Sequence, residues 1–100
     1  MNTIDTILTG DCLAILPTLP AGVAQLAYID PPFNIGLAYP GYDDRRPEDE
    51  YFAWLEDVFL SVRRVLSPSG SLWVQCGQTI QAEICVMLKR LGLHWRNSPV

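Results

Sequence analysis

Val23-Ala24-Gln25-Leu26-Ala27-Tyr28-Ile29 runs straight into Asp30-Pro31-Pro32-Phe33-Asn34, and the fold is decided by how that junction is read. Apart from Gln25 the first stretch is apolar without alternation, the pattern of a strand covered on both faces in a parallel sheet. The strand has to stop at Asp30, because neither following proline can donate to a ladder. Asn34 through Arg46 then holds two glycines, a proline, two tyrosines and four charges. It reads as an irregular loop, longer than the usual connection and of a kind that often carries function.

Downstream of the loop, Phe52, Leu55, Phe59, Val62 and Leu66 recur at alternating steps of three and four, widened by Val58 and Val65. This is an amphipathic helix beginning near Glu48. Pro47 suits its start, Glu48-Asp49-Glu50 complement the amino end of its dipole, and Arg63-Arg64 complement the carboxyl end. Ser67-Pro68-Ser69-Gly70 stops it, and Ser71 to Cys76 reads as a second buried strand. A further helix is expected over Gln78–Leu91, with Gly92 as its carboxyl cap, and Leu93 to Arg96 as the start of another strand.

Upstream, Ile4 to Thr9 favours a short strand ending at the Gly10-Asp11 turn. Cys12 to Leu19 favours a short helix limited by Pro17 and Pro20. Strands alternating with helices imply an α/β fold with a mostly parallel sheet and helices on both faces.

Ligands of such sheets bind outside the carboxyl ends of the strands. Asp11 and Asp30, each ending an expected strand, therefore form a candidate pair of carboxylates on one edge. An Asx turn or an amino cap for the short helix accounts for Asp11 equally well. Asp30-Pro31-Pro32-Phe33 is more distinctive, since ordinary residue usage produces an acid or amide, two prolines and an aromatic in well under roughly 1% of chains this long.

The chemistry such a run suits is the activation of an exocyclic amine, whose lone pair is delocalised into its ring and is a poor nucleophile. A carboxylate and a backbone carbonyl accepting its two N–H groups favour a more tetrahedral nitrogen with its lone pair aimed at an electrophile. Asp30 and the Pro31 carbonyl can supply these acceptors. Pro31 holds Asp30 extended and Pro32 does the same to Pro31. Phe33 offers an apolar face on which an extruded base can stack.

The remaining features set bounds. The chain of 100 residues is 49% hydrophobic and 18% charged with net charge −4, enough for one modest core and not for two domains. The balance is acidic, so the basic surface that a nucleic-acid-binding protein needs has to lie largely elsewhere. Cys12, Cys76 and Cys85 form neither a CxxC pair nor a His cluster, which argues for a reducing cytoplasm and against zinc or a disulfide framework. No signal-like start and no membrane-length apolar run is present, so a soluble protein is expected. Asp43-Asp44 lacks the regular oxygen ligands of a metal site and reads as solvated loop. Tyr39, Tyr42, Arg45 and Arg46 read as solvated loop residues or as contacts to a nucleic-acid strand. Trp54 and Trp73 read as packing residues, and Cys76 as structural.

Asp30-Pro31-Pro32-Phe33-Asn34 resembles the catalytic motif of the DNA amino-methyltransferases, in which Asp, Asn or Ser precedes Pro-Pro and an aromatic residue. Gly10-Asp11-Cys12-Leu13, about twenty residues upstream, resembles the segment that contacts the cofactor's adenine in that family. Tyr51-Phe52-Ala53-Trp54-Leu55 and Leu66-Ser67-Pro68-Ser69-Gly70-Ser71-Leu72 resemble its helix and following strand. A catalytic motif this near the amino terminus resembles the permuted, β-type arrangement.

The resemblance implies a partial Rossmann-like fold that uses S-adenosylmethionine. Asp30, Pro31, Pro32 and Phe33 would be catalytic, Asp11, Cys12 and Asp30 would bind the cofactor, and no metal is implied. It implies site-specific transfer of a methyl group to the N6 of adenine flipped out of double-stranded DNA. N4 methylation of cytosine is the nearest alternative, and a non-catalytic nucleic-acid-binding relative the alternative of another class. It leaves room for a homodimer and for a restriction endonuclease partner. The family's Phe-x-Gly-x-Gly-like cofactor segment is not found in these residues. Residues 1–100 are therefore expected to be the amino-terminal part of one catalytic domain, cut short before the glycine motif and the target-recognition region, and inactive alone.

Overall fold

The computed structural model describes residues 5–96. The element that organises them is helix α2 (Glu48–Val65), which follows Pro47 and opens on three acidic residues, favourable at the positive end of the helix dipole. Its apolar stripe is buried: Leu55 and Phe59 are 0% exposed and Tyr51 is 1% exposed. That stripe lies against strands β1 (Ala24–Ile29) and β4 (Leu66–Val74), which pair in parallel. Strand, helix and strand thus form one βαβ unit, as the alternating pattern requires.

Two clusters share the interface. One gathers Tyr51, Leu55 and Phe59 with Ile84 and Met87 of α3 (Gln81–Arg90). The other gathers Val58, Val62 and Leu66 with Leu13 and Leu16, which flank the junction of α1 (Cys12–Ile15) and a 3-10 turn over Leu16–Thr18. Ile29, Trp54 and Leu72 pack against both clusters. The terminal arginines of α2 reach sideways rather than only serving its own dipole. Arg63 donates to the Leu91 carbonyl at 2.6 Å, and Arg64 to the carbonyls of Leu16, Pro17 and Leu19. They fasten the carboxyl ends of α3 and the 3-10 turn through backbone carbonyls.

The α/β class, the parallel pair and both longer helices agree with the sequence pattern, while four local expectations are corrected. Residues 5–9 take no strand, the expected strand's first residue, Ile4, lying outside the described residues, and residues 93–96 take none either. Neither segment has a neighbouring strand among the described residues to complete a ladder. The strand after α2 begins at once, with Ala24 opposite Leu66 and Leu26 opposite Ser71, so residues 67–70 bulge from the ladder. Gly70 permits this, because a Cβ there would lie 3.1 Å from the Ala24 carbonyl oxygen.

The last correction concerns sheet coverage. Ala27, Ile29, Leu72 and Val74 face the helices, whereas Leu26 is 64%, Tyr28 63% and Trp73 47% exposed. Among the described residues the helices cover one face, and Trp73 stands on the other rather than in the core. Continuous apolarity predicted cover on both sides but could not say which residues supply it. The expected carboxyl cap of α3 is present as a Schellman pair, Leu93 N–H to Leu88 carbonyl at 3.1 Å and Gly92 N–H to Lys89 carbonyl at 3.0 Å. No helix among the described residues is long and apolar enough to cross a membrane.

Because Leu55 is enclosed by both strands' inner residues and by α3, Leu55→Ala is expected to lower the unfolding free energy by about 2–5 kcal/mol, measured by urea denaturation of the protein. A loss below roughly 1 kcal/mol, the scale of a surface change, would show that this stripe is not the core.

Candidate active site at the carboxyl end of the parallel pair

The register that pairs Ile29 with Val74 sets the next residues side by side, and Gln75 N–H donates to the Ile29 carbonyl at 2.8 Å. Asp30 and Gln75 therefore emerge together at the carboxyl edge of the sheet, where open α/β sheets bind ligands. They line one open cleft of about 550 Å³ with Pro31, Pro32, Phe33 and the loop residues Leu37 and Tyr39. Asp30 is exposed, and neither its carboxylate nor the Pro31 carbonyl has a hydrogen-bond partner among the described residues. Gln75 accepts a hydrogen bond from the Tyr28 hydroxyl.

The next carbonyl along is engaged. Pro32 accepts from the Tyr51 hydroxyl at 2.5 Å. Burial first, then the neighbouring Tyr42, Asp44 and Cys76 groups, push the Tyr51 phenol up to about 12, so it stays a protonated donor at any ordinary pH. Phe33 packs over Gly77, where an added Cβ would lie 3.7 Å from the ring, and it is half-buried on the cleft side of the loop.

The long loop is better ordered than its composition indicated. Strands β2 (Ala38–Tyr39) and β3 (Tyr42–Asp43) form a short antiparallel hairpin about Pro40-Gly41. Asp44, expected to be solvated, is 2% exposed. Its Oδ1 accepts from Asn34 N–H at 3.0 Å, and its Oδ2 from Ile35 at 3.0 Å and Leu37 at 2.9 Å. Burial acts to raise this carboxyl, but the N–H groups of Leu37, Ile35 and Asn34 outweigh it and hold it below its ordinary value. Asn34 sits at φ +61 and is clasped by one residue: its Oδ1 accepts from Arg46 N–H at 2.8 Å and its Nδ2 donates to the Arg46 carbonyl at 2.9 Å.

Arg46 is drawn into the same assembly, its guanidinium 5.0 Å from the Tyr42 ring centroid and 5.4 Å from that of Trp54. Tyr42 and Arg46 thus serve packing, and Tyr39 and Arg45 remain on the surface. Sequence reasoning missed Tyr51, Asn34 and Asp44 as organisers of this loop. The only available signal was Asn34 directly after the aromatic, a residue type that tolerates the left-handed region.

Asp11 stands apart from the cleft. Its Oδ1 accepts from Leu13 N–H at 3.0 Å, capping α1, so the capping reading is realised, and neither Asp11 nor Cys12 lines the cleft with Asp30. Local desolvation, then the Asp11 charge, push the Cys12 thiol up. Cys76 packs against the main cluster, and burial followed by Cys85 raises its thiol. No group of three His, Cys, Asp or Glu among the described residues is placed to hold a metal ion.

The model of a family described as DNA methylase matches residues 24–99. The chain belongs to the N6/N4 DNA methylase family. DNA adenine methyltransferase YhdJ of Escherichia coli (strain K12) is 38% identical over 73 residues, which are 73% of this chain and 25% of that protein. Type II methyltransferase M.BglII of Bacillus subtilis is 35% identical over 74 residues, 74% of this chain and 20% of that protein. The chain therefore spans about a quarter of the first relative's length and a fifth of the second's. Its βαβ unit, with the Asp-Pro-Pro-Phe run at a strand end, is part of a methyltransferase fold.

Asp44 gives this loop a pH signature. A carboxyl whose folded pKa is lowered contributes stability that is complete above its unfolded value, 3.8, and is lost as pH falls through the folded value. The Ile35 and Leu37 amide resonances, followed by NMR, should titrate with a midpoint below 3.8. A midpoint at or above it, or unchanged shifts in Asp44→Asn, would refute the assignment.

Proposed function

We propose that the protein transfers a methyl group from S-adenosylmethionine to the exocyclic N6 of adenine in double-stranded DNA, at a specific sequence and with the target base turned out of the helix. The observation that carries this reading is the pair of unengaged acceptors on Asp30 and Pro31, adjacent residues lining one cleft at the sheet's carboxyl edge. An amino group with two N–H bonds needs two such acceptors. The Asp30 carboxylate takes one, the Pro31 carbonyl takes the other, and the nitrogen lone pair is turned out of the base plane. Phe33 supplies the stacking face, and unstacking the base costs a few kcal/mol on the scale of about 1–3 per base recovered by such a contact.

The cofactor, when bound, supplies the electrophilic methyl group. The residues of this chain that would hold it are Asp11, Cys12 and Asp30. The donor set fits: the exposed Asp11 carboxylate spends Oδ1 on the α1 cap and keeps Oδ2 for an amino group. Asp11 lies outside the Asp30 cleft. On this reading the chain is the amino-terminal part of one catalytic domain of a cytoplasmic enzyme, and the segment alone is inactive. A homodimer and a restriction endonuclease partner belong to the same proposal.

Asp30→Ala in the complete protein is expected to lower the methylation rate by at least about 10²-fold, the scale of losing one preorganised charge acceptor, with the thermal transition little changed. Digestion of the product DNA to nucleosides should yield N6-methyladenine. Recovery of N4-methylcytosine instead would move the substrate, retained activity in Asp30→Ala would remove its role, and robust turnover by residues 1–100 would overturn the division of the domain.

A further inference from the structure

We propose that Tyr51 is the positioning residue of the catalytic loop, acting through the Pro32 carbonyl to aim the Pro31 carbonyl; this rests on the acceptor roles given above to Asp30 and Pro31. The segment has an unusual handicap. Pro31 and Pro32 carry no N–H, and the Pro31 carbonyl has to stay open for substrate. The Pro32 carbonyl is therefore the first backbone group after Asp30 through which the protein can hold the loop, and Tyr51 donates to it.

The geometry makes that single bond decisive. The Pro32 ring fixes φ near −65°, so its ψ is the one soft torsion between the Pro31 carbonyl and the Pro32 carbonyl. Anchoring the latter fixes ψ, and with it the direction of the former. The anchor is itself rigid. Tyr51 is 1% exposed, its ring lies 5.5 Å from Phe52 and 6.1 Å from Trp54 by centroids, and it sits one turn before Leu55 in α2. Its hydroxyl can only donate here, since a carbonyl oxygen can only accept. The clasp of Asn34 by Arg46 holds the other end of the motif, so the Asp-Pro-Pro-Phe segment is fixed on both sides without using either acceptor.

Tyr51→Phe keeps the ring and removes the donor. In the complete protein, single-turnover methyl transfer is expected to fall about 10- to 100-fold, the consequence of a displacement near 1 Å, while KM for DNA and for S-adenosylmethionine stays within about threefold, as for an interaction that matters to the chemical step alone. The fluorescence of 2-aminopurine placed at the target should rise as in wild type, showing that base flipping survives. Val58→Ala, which loosens the same helix in the second cluster, serves as the stability control and should keep its rate. A wild-type protein without methylation overturns the reading of Asp30 and Pro31, and this proposal falls with it. A methylating wild type whose Tyr51→Phe variant keeps its rate, or whose Val58→Ala variant loses as much, overturns the role of Tyr51 alone.

Discussion

Everything at the site hangs on the burial of one stripe of α2 against one face of the β1–β4 pair. Ile29, Trp54 and Leu72 join both hydrophobic clusters, so the two ends of the helix cannot shift independently. Burying such side chains contributes roughly 1.5–3 kcal/mol each before entropy is counted. That packing does two positional jobs. It brings β1 and β4 into a register that sets Asp30 beside Gln75, and it holds Tyr51 at the start of the helix directly against the Pro-Pro turn.

The loop that follows solves a different problem. A segment of thirteen residues, 34–46, with few apolar side chains cannot be fixed by hydrophobic burial, and a mobile loop would lose the preorganisation that makes fixed acceptors effective. Asp44 substitutes for a core. A desolvated carboxylate is costly unless several donors reach it, and the N–H groups of Asn34, Ile35 and Leu37 can do so only when the chain folds back over the hairpin. The same requirement that stabilises the carboxylate therefore selects one loop conformation. Arg46, caught between Tyr42 and Trp54, ties that conformation to α2.

Periodicity made α2, α3 and the parallel β1–β4 pair legible, because 3.6-residue and continuous apolar patterns report directly on which residues leave water. The Asp30-Pro31-Pro32-Phe33 run was legible for another reason: two prolines after a strand restrict the backbone so severely that little besides a rigid loop can follow. What stayed hidden were relations between distant residues. Nothing in Tyr51 distinguishes a hydroxyl that meets Pro32, 19 residues away, from one that meets solvent. No strand forms over 5–9 or 93–96 for the converse reason, since β-propensity describes a fit to a neighbour that the described residues do not provide. The covered second face failed likewise, and Leu26, Tyr28 and Trp73 stand exposed on it.

Asp30 and Asp44 draw these arguments together. Both are aspartates in one short stretch, and sequence alone ranks the first as chemical and the second as solvated filler. The structure divides their labour more sharply. Asp44 is buried and accepts from three backbone N–H groups, so most of its accepting capacity is spent inside the loop. Asp30 is exposed and has no partner among the described residues, in a cleft whose walls are otherwise held in place. A carboxylate can offer its full accepting capacity to a ligand only if the protein has not already spent it. The loop meets its own electrostatic needs with Asp44, Asn34 and Tyr51, and leaves the Asp30 carboxylate and the Pro31 carbonyl without a hydrogen-bond partner among the described residues.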